Sequence, residues 1–388
     1  MLSGKGSQGD RAPWTGGVWY SVHPMAPRRH ALLAFAQLWF VACGGTGGPT
    51  QPSPSSEPTY PVTAVVFYDE NANGVLDPNE AVRLPQVDVV VQGVGSAKTA
   101  AATGQAMVMG VKAGSQSVAI RTESLPMFFV PGPPVGVPVP QTGVVNLPVV
   151  LPIGPNQANV YMAFGDSITN GLGSSDGNGY RLRLQNLLGP YLGRAQVNNE
   201  GKDGTFSLDG ANRIPGRLFR NRPAYTLIHY GTNDFNDQTC QVGPIANCFT
   251  LESLRSIVDQ VKASQSLPVL ATLIPTNPAV NPSENLWIAQ INPGIKALAQ
   301  QEGALLADLN AVFVAQGGDL SRFFAEGTLG DVHPNDLGYD LMAQGFFKAL
   351  TQARSATASG VSFSPYFGFS APGGKGRPGL GSPGTRGR

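Results

Sequence analysis

Hydrophobic positions change their period along this chain. Between residues 62 and 150 they come as short valine-rich runs, Val65-Val66-Phe67, Val87 to Val91, Val118-Ala119-Ile120 and Val144-Val145, separated by Gly, Pro and Ser. Runs of that length with frequent turn signals predict a small all-β, sandwich-like domain. Pro126 to Pro140 is rich in proline and reads as an irregular crossing or a stiff connector. From Asn159 onward the runs Val160 to Phe164, Ala195 to Val197, Leu227 to Tyr230, Leu267 to Leu273 and Ala304 to Leu309 alternate with longer amphipathic segments. In those segments Leu251, Leu254, Ile257, Val258 and Val261, and then Trp287, Ile288, Ile291, Ile295 and Leu298, repeat at helical spacing. The alternation predicts an α/β layer with right-handed crossovers and a five-stranded parallel sheet, whose ligands sit at the C-terminal ends of the strands.

The first 60 residues have a different pattern. No period is sustained to residue 24; Met25 then opens a segment with Arg28, Arg29 and His30, followed by an apolar stretch from Ala31 to Val41. That stretch is too short to cross a bilayer as a helix and reads as a signal peptide, for which Met25 is an alternative start. It ends at Phe40-Val41-Ala42-Cys43, which resembles a bacterial lipobox and makes Cys43 the acylated residue of a lipoprotein. A plain secretory signal is the alternative, and both export the protein. From Gly44 to Tyr60, 14 of 17 residues are Gly, Pro, Ser or Thr, the composition of a tether. The organisation expected is a leader over 1–43, a tether over 44–60, a β module over 61–153, a catalytic domain over 158–353 and a disordered Gly/Pro-rich basic tail over 354–388.

Composition narrows the function classes. A formal charge of +1 over 388 residues gives no global field for nucleic acid, so a nucleic-acid partner is not expected. Three cysteines exclude a disulfide scaffold and a four-thiolate zinc site. Cys240 and Cys248 flank a short segment, and in an exported chain they are expected to pair as a disulfide. In the β module, Asp69, Asn71, Asn73, Asp77 and Glu80 put side-chain oxygens at positions 1, 3, 5, 9 and 12 of a loop with Gly74 at position 6. This is the EF-hand ligand spacing and predicts a structural calcium ion; a polar turn rich in Asn and Gly is the alternative. Because β-prone runs flank the loop, the module resembles the calcium-bearing β-sandwich repeats of bacterial surface proteins.

Catalytic candidates stand at the strand ends. Ser167 follows Gly165-Asp166 where the first run of the α/β layer turns into a helix, a position open for attack. Of four histidines, His23 and His30 belong to the leader, His229 lies in the apolar run Leu227 to Tyr230 and reads as a buried, hydrogen-bonded strand residue, and His333 stands in the polar loop Gly330 to Asp336. His333 is therefore the base that an attacking serine needs. Two further strand ends carry Asn199-Glu200-Gly201-Lys202-Asp203-Gly204 and Gly231-Thr232-Asn233-Asp234. A glycine N–H and an Asn carboxamide there, with the Ser167 amide, are donors suited to an oxyanion. Asp166 and Asp234 read as braces for the loops.

The four blocks, GDS at Gly165 to Ser167, N-x-G-x-x-G at Asn199 to Gly204, G-x-N-D at Gly231 to Asp234 and HPND-x-GY at His333 to Tyr339, together resemble the SGNH (GDSL) hydrolase family over residues 158–352. The resemblance implies a flavodoxin-like three-layer α/β/α sandwich with Ser167 as nucleophile, His333 as general base and acid, and an oxyanion hole of Ser167, Gly204 and Asn233. Gly204 is preferred to Gly201 because the family's oxyanion glycine follows the block's asparagine by five positions. One departure is visible: the family's third triad member stands three residues before the histidine, where this chain has Gly330. Either Asp331 reaches the imidazole, which is the expectation here, or a backbone carbonyl orients His333. The function expected is an exported serine esterase for small-molecule or lipid esters of short to medium acyl chain, needing no cofactor for catalysis and held at a membrane by its lipid anchor. The alternatives are a carbohydrate deacetylase acting on polysaccharide and a catalytically inert, calcium-dependent surface binding protein.

Overall fold

The computed structural model describes residues 57–329 and 331–354. Cys43, the predicted leader, residues 44–56 of the predicted tether and the tail from 355 lie outside the described residues. The β module holds β1 (Thr59–Tyr68), β2 (Asp88–Val91), β3 (Gly95–Lys98), β4 (Gln105–Lys112), β5 (Gly114–Ile120), β6 (Val130–Pro131), β7 (Val135–Val139) and β8 (Val145–Val150). They form two four-stranded sheets, in the orders β4-β1-β8-β6 and β3-β2-β5-β7. Val62, Ala64 and Val66 of the first sheet share one core with Val89, Val91 and Val118 of the second. Alternate residues of β2, β7 and β8 are buried in that core.

Two boundaries differ from the sequence reading. Thr59 and Tyr60, the last described residues of the predicted tether, belong to β1, where they pair with Lys112 and Val111 of β4. The proline-rich segment is no mere connector, because it contributes β6 and β7, each the outermost strand of its sheet. An edge strand needs ladder bonds on one side only, which is where proline is tolerated.

The second layer system follows in alternation: β9 (Gln157–Gly165), α1 (Ser167–Asn170), α2 (Tyr180–Leu192), β10 (Gln196–Gly201), α3 (Ser207–Asn221), β11 (Pro223–His229), α4 (Gln238–Gln241), α5 (Thr250–Ala263), β12 (Leu267–Ala271), α6 (Pro282–Glu302), β13 (Leu305–Ala307), α7 (Leu309–Val314) and α8 (Asp336–Thr351). The five strands lie in the order β10-β9-β11-β12-β13 and every neighbouring pair is parallel. Tyr161 and Ala163 of β9 pack in one core with Leu184 and Leu188 of α2 and Met342 and Phe346 of α8. Met162 and Phe164 pack in the other with Ile214 of α3, Ile257 and Val258 of α5 and Ile291 and Ile295 of α6. With helices on both faces, every residue of β11 is buried, which is why its apolar residues Ala224, Tyr225, Leu227 and Ile228 do not alternate with exposed polar ones. The order reverses between β9 and β11, and such a switch point opens a crevice at the carboxyl ends of the strands. Among the described residues no helix is long and apolar enough to cross a membrane.

The β module meets the far end of this sheet. Glu70 accepts a hydrogen bond from Asn159 Nδ2 at 2.9 Å and pairs with Arg194, while Phe128 lies 6.4 Å, ring to ring, from Tyr225. Asn159 and Tyr225 stand early in β9 and β11. The crevice at the opposite ends is left clear.

Candidate active site

The site begins where β9 runs out. At Gly165 a Cβ would stand 2.2 Å from the His229 carbonyl oxygen and 2.2 Å from Thr169 Oγ1, so only glycine lets the strand end press against its neighbours. Asp166 caps α1 by accepting from the Ile168 N–H at 3.0 Å, an interaction that holds the tight turn placing Ser167 at the first helical position. Its other oxygen has no partner among the described residues. Burial therefore pushes its carboxyl up to about 7, with the nearby charge of Asp234 acting in the same direction against the Ile168 N–H.

Ser167 Oγ lies 2.8 Å from His333 Nε2. His333 Nδ1 lies 3.0 Å from the carbonyl oxygen of Leu329. A carbonyl can only accept, so Nδ1 carries the proton and Nε2 is left as the acceptor for the serine hydroxyl. The expected partner, Asp331, is not in bonding range: its Oδ1 stands 3.9 Å from Nδ1 and accepts from the Val332 N–H at 2.8 Å instead. With its carboxylate turned back onto its own loop, the orienting acceptor is a backbone carbonyl. The loop is held by Ala325 N–H on the His333 carbonyl at 3.0 Å and by Asn335 N–H on the Phe323 carbonyl at 3.0 Å.

The other two strand ends bring the remaining donors. Gly204 has φ +66°, a conformation glycine adopts without strain, and no hydrogen bond engages its N–H among the described residues. Gly201, the alternative, already donates its N–H to Asn199 Oδ1 at 2.9 Å. Asn233 donates one carboxamide N–H to the Thr205 carbonyl at 2.9 Å, which sets the plane of the amide and leaves its second N–H for another acceptor. Asp234 accepts from Ser207 N–H at 2.8 Å, Ser207 Oγ at 2.6 Å and Thr250 Oγ1 at 2.6 Å, tying the loop after β11 to the starts of α3 and α5. Burial raises its carboxyl pKa and the three donors oppose that rise.

One bracing residue has no signature in the sequence. Arg213 of α3 donates to the Gly165 carbonyl at 2.7 Å, to the Glu200 carbonyl at 2.8 Å and to Tyr230 Oη at 3.1 Å. Its guanidinium also sits 4.2 Å from the centre of the Phe164 ring. A planar cation with five donors is suited to joining fixed carbonyls, and here it links the ends of β9, β10 and β11, the places from which the serine, glycine and asparagine donors come.

Residues 163–341 match the model of the GDSL-like Lipase/Acylhydrolase family. Over these residues the chain is similar to GDSL-family hydrolases. Among solved structures it is similar to a lipase/acylhydrolase from Enterococcus faecalis, at 18% identity and a TM-score of 0.42 over 50% of this chain and 95% of that one. It is also similar to Axe2, an acetylxylan esterase from Geobacillus stearothermophilus, at 22% identity and a TM-score of 0.41 over 50% of this chain and 95% of that one. No curated protein matches the chain.

Within residues 163–341, His229 is buried as expected, but both ring nitrogens lack partners among the described residues. Burial pushes its pKa down to about 4, so it is neutral at pH 7. Beside the dyad, a cavity of about 540 Å³ is lined by Asn170, Leu172, Ser174, Ala325, Glu326 and Leu329 together with three glycines. Cys240 and Cys248 form a disulfide that closes the segment after Asn233.

The loop from Asp69 to Glu80 is closed by its own hydrogen bonds. Asp69 accepts from Asn73 N–H at 3.1 Å and from Gly74 N–H at 2.7 Å, and Glu80 accepts from Glu70 N–H at 2.9 Å and Asp77 N–H at 3.1 Å. Asn71 and Asn73 each direct a carboxamide N–H at Asp77, at 2.7 and 2.9 Å. Among the described residues no group of three or more His, Cys, Asp or Glu is arranged to hold a metal ion. A calcium ion would fit this ligand set only after the carboxamides of Asn71 and Asn73 turned their oxygens inward.

Proposed function

We propose that the protein is an exported serine esterase that works through an acyl-enzyme on Ser167. The observation that carries this reading is the Ser167 Oγ to His333 Nε2 contact of 2.8 Å, with Nδ1 of the same ring held by a carbonyl at 3.0 Å. Ser167 Oγ attacks the ester carbonyl carbon while Nε2 takes its proton; the tetrahedral oxyanion is met by the N–H groups of Ser167, Gly204 and Asn233. Collapse breaks the carbon–oxygen bond to the alcohol, which leaves with the proton from Nε2. Water then gives its proton to Nε2, attacks the acyl-enzyme and releases the acid, with Ser167 Oγ regaining its proton. Export and lipid anchoring at Cys43 are supported by the leader pattern, and the Cys240–Cys248 disulfide suits an oxidising compartment.

Short to medium acyl groups suit the cavity, whose wall is mostly glycines, Ser174 and Ala325 with Leu172 and Leu329 as its two long apolar side chains. Asn170, Ser174 and Glu326 in the same wall favour an uncharged, hydroxyl-rich alcohol, so acetylated polysaccharide is the second reading. The chain from Gly44 onward, assayed on p-nitrophenyl acetate, butyrate, octanoate and dodecanoate, is expected to turn over the acetate and butyrate fastest. An optimum at the long chains would overturn the short-acyl reading, and no turnover of any ester above background would leave a surface binding protein. Truncation after residue 60 is to be avoided because it removes Thr59 and Tyr60 from β1.

For the Asp69–Glu80 loop we propose a structural calcium ion on its ligand spacing. Calcium at about a hundred times its Kd should add about 2.7 kcal/mol to folding stability, seen as a rise in Tm that Asp69→Asn and Glu80→Gln abolish. An unchanged Tm on calcium addition would assign the loop to its hydrogen bonds alone.

A further inference from the structure

Behind the loop that carries His333, α6 opens with a buried acid. Glu284 is 3% exposed. Its Oε2 accepts from Asn281 Nδ2 at 2.6 Å, while Oε1 is buried without a partner among the described residues. Asn281 N–H donates to the Asn277 carbonyl at 2.8 Å, and Asn277 N–H donates to the Asp331 carbonyl at 2.8 Å. Asp331 stands two residues before His333. Three short hydrogen bonds thus join the Glu284 carboxyl to the backbone that sets the imidazole.

We propose that Glu284 is a positioning residue for His333, acting through the turn from Asn277 to Asn281. The inference rests on the reading of His333 as the base. Glu284 holds that turn as a neutral acid. The titratable groups that face it are Asp331 from the histidine loop and Asp166 from the serine turn, both acids, and its bond within the cap of α6 comes from the Asn281 amide. No cation pairs with it among the described residues. Burial, with the charge of Asp331 next, pushes its carboxyl up to about 8. Above that pH a carboxylate would face two acids in a dry site and press the turn outward, so kcat should decline on the alkaline side.

The sign for stability follows from the same shift. The folded protein holds a proton on Glu284 up to about 8, whereas the unfolded chain loses it near 4.5. The contribution to stability is therefore greatest at the acid end of that window, falls as pH rises through it, and is level above it.

The test is kcat, KM and Tm from about pH 5 to about pH 10 for the full chain and for Glu284→Leu and Glu284→Gln, with p-nitrophenyl acetate as substrate. Glu284→Leu is expected to lower kcat about tenfold or more at neutral pH with KM nearly unchanged, because small misplacements of a catalytic group are costly. Glu284→Gln, an uncharged isostere that keeps the bond to Asn281, should restore most of that loss, move the alkaline decline upward and flatten the fall in Tm. A decline at the same pH in wild type and Glu284→Gln, or a well-folded Glu284→Gln as slow as Glu284→Leu, overturns the proposal. A fluorophosphonate probe separates the two possible failures, since it needs only a serine activated by its histidine. Labelling of Ser167 without ester turnover faults the ester reading, and the same pH comparison, read on the labelling rate, then decides the role of Glu284.

Discussion

Ser167→Ala and His333→Ala are each expected to lower kcat for p-nitrophenyl acetate by about four to six orders of magnitude, and the double variant by no more than the worse of the two. The non-additivity is the informative part. The proposed nucleophile and base are joined by one 2.8 Å contact, so removing either would abolish the same proton transfer. Tm should change little in both variants, because neither side chain anchors the apolar cores. Asp331→Ala is the control that distinguishes this site from a triad. In the serine-protease template, loss of the orienting carboxylate costs about four orders of magnitude. Here the carboxylate stands 3.9 Å from Nδ1 and the Leu329 carbonyl stands at 3.0 Å, so a change below about threefold in kcat is expected, within the range of an exposed charge. A hundredfold loss in Asp331→Ala would show that the loop closes its carboxylate onto the imidazole during the reaction.

Asn233→Ala is expected to lower kcat by about 10² to 10³, equivalent to about 2.7–4 kcal/mol of transition-state stabilisation, with KM nearly unchanged. One carboxamide N–H of Asn233 is spent on the Thr205 carbonyl, and the other is the donor proposed for the oxyanion. The charge to be stabilised exists only after attack, so the loss should fall on kcat. Asn233→Asp should be at least as slow, because it replaces a donor with a negative charge beside the developing oxyanion. Since Asn233 also steadies Thr205, thermal unfolding accompanies the kinetics, and a stability loss of about 1 kcal/mol is expected for that one hydrogen bond. A large fall in KM-normalised rate caused wholly by a rise in KM would assign Asn233 to ground-state binding instead.

What the chain carries locally was legible from its residues. Apolar runs predicted β9, β11 and β12 most clearly, because a strand covered on both faces has no polar alternation to confuse it, whereas the edge strand β10 was marked only by the short Ala195 to Val197 run at its start. The serine, glycine, asparagine and histidine blocks could be read for the same kind of reason: each is a few contiguous residues at the end of one element. Beyond that range local pattern is silent. Thr59 and Tyr60 looked like tether until β4 supplied their partners, and the prolines around β7 looked like a break until its place at the sheet edge removed the need for donors. The choice of the Leu329 carbonyl over Asp331 turns on how one loop folds back, which no spacing rule encodes, and the glycine at 330 signalled only that the usual acid was missing. Arg213 and Glu284 carry no motif at all. Each acts on residues tens of positions away, Arg213 through carbonyls that every residue possesses and Glu284 through an asparagine turn. Residue types at strand ends therefore determined which chemistry is available. Only the packing of α3, α6 and the histidine loop against those ends decided which groups orient it, because orientation depends on backbone atoms and burial that a sequence does not distinguish.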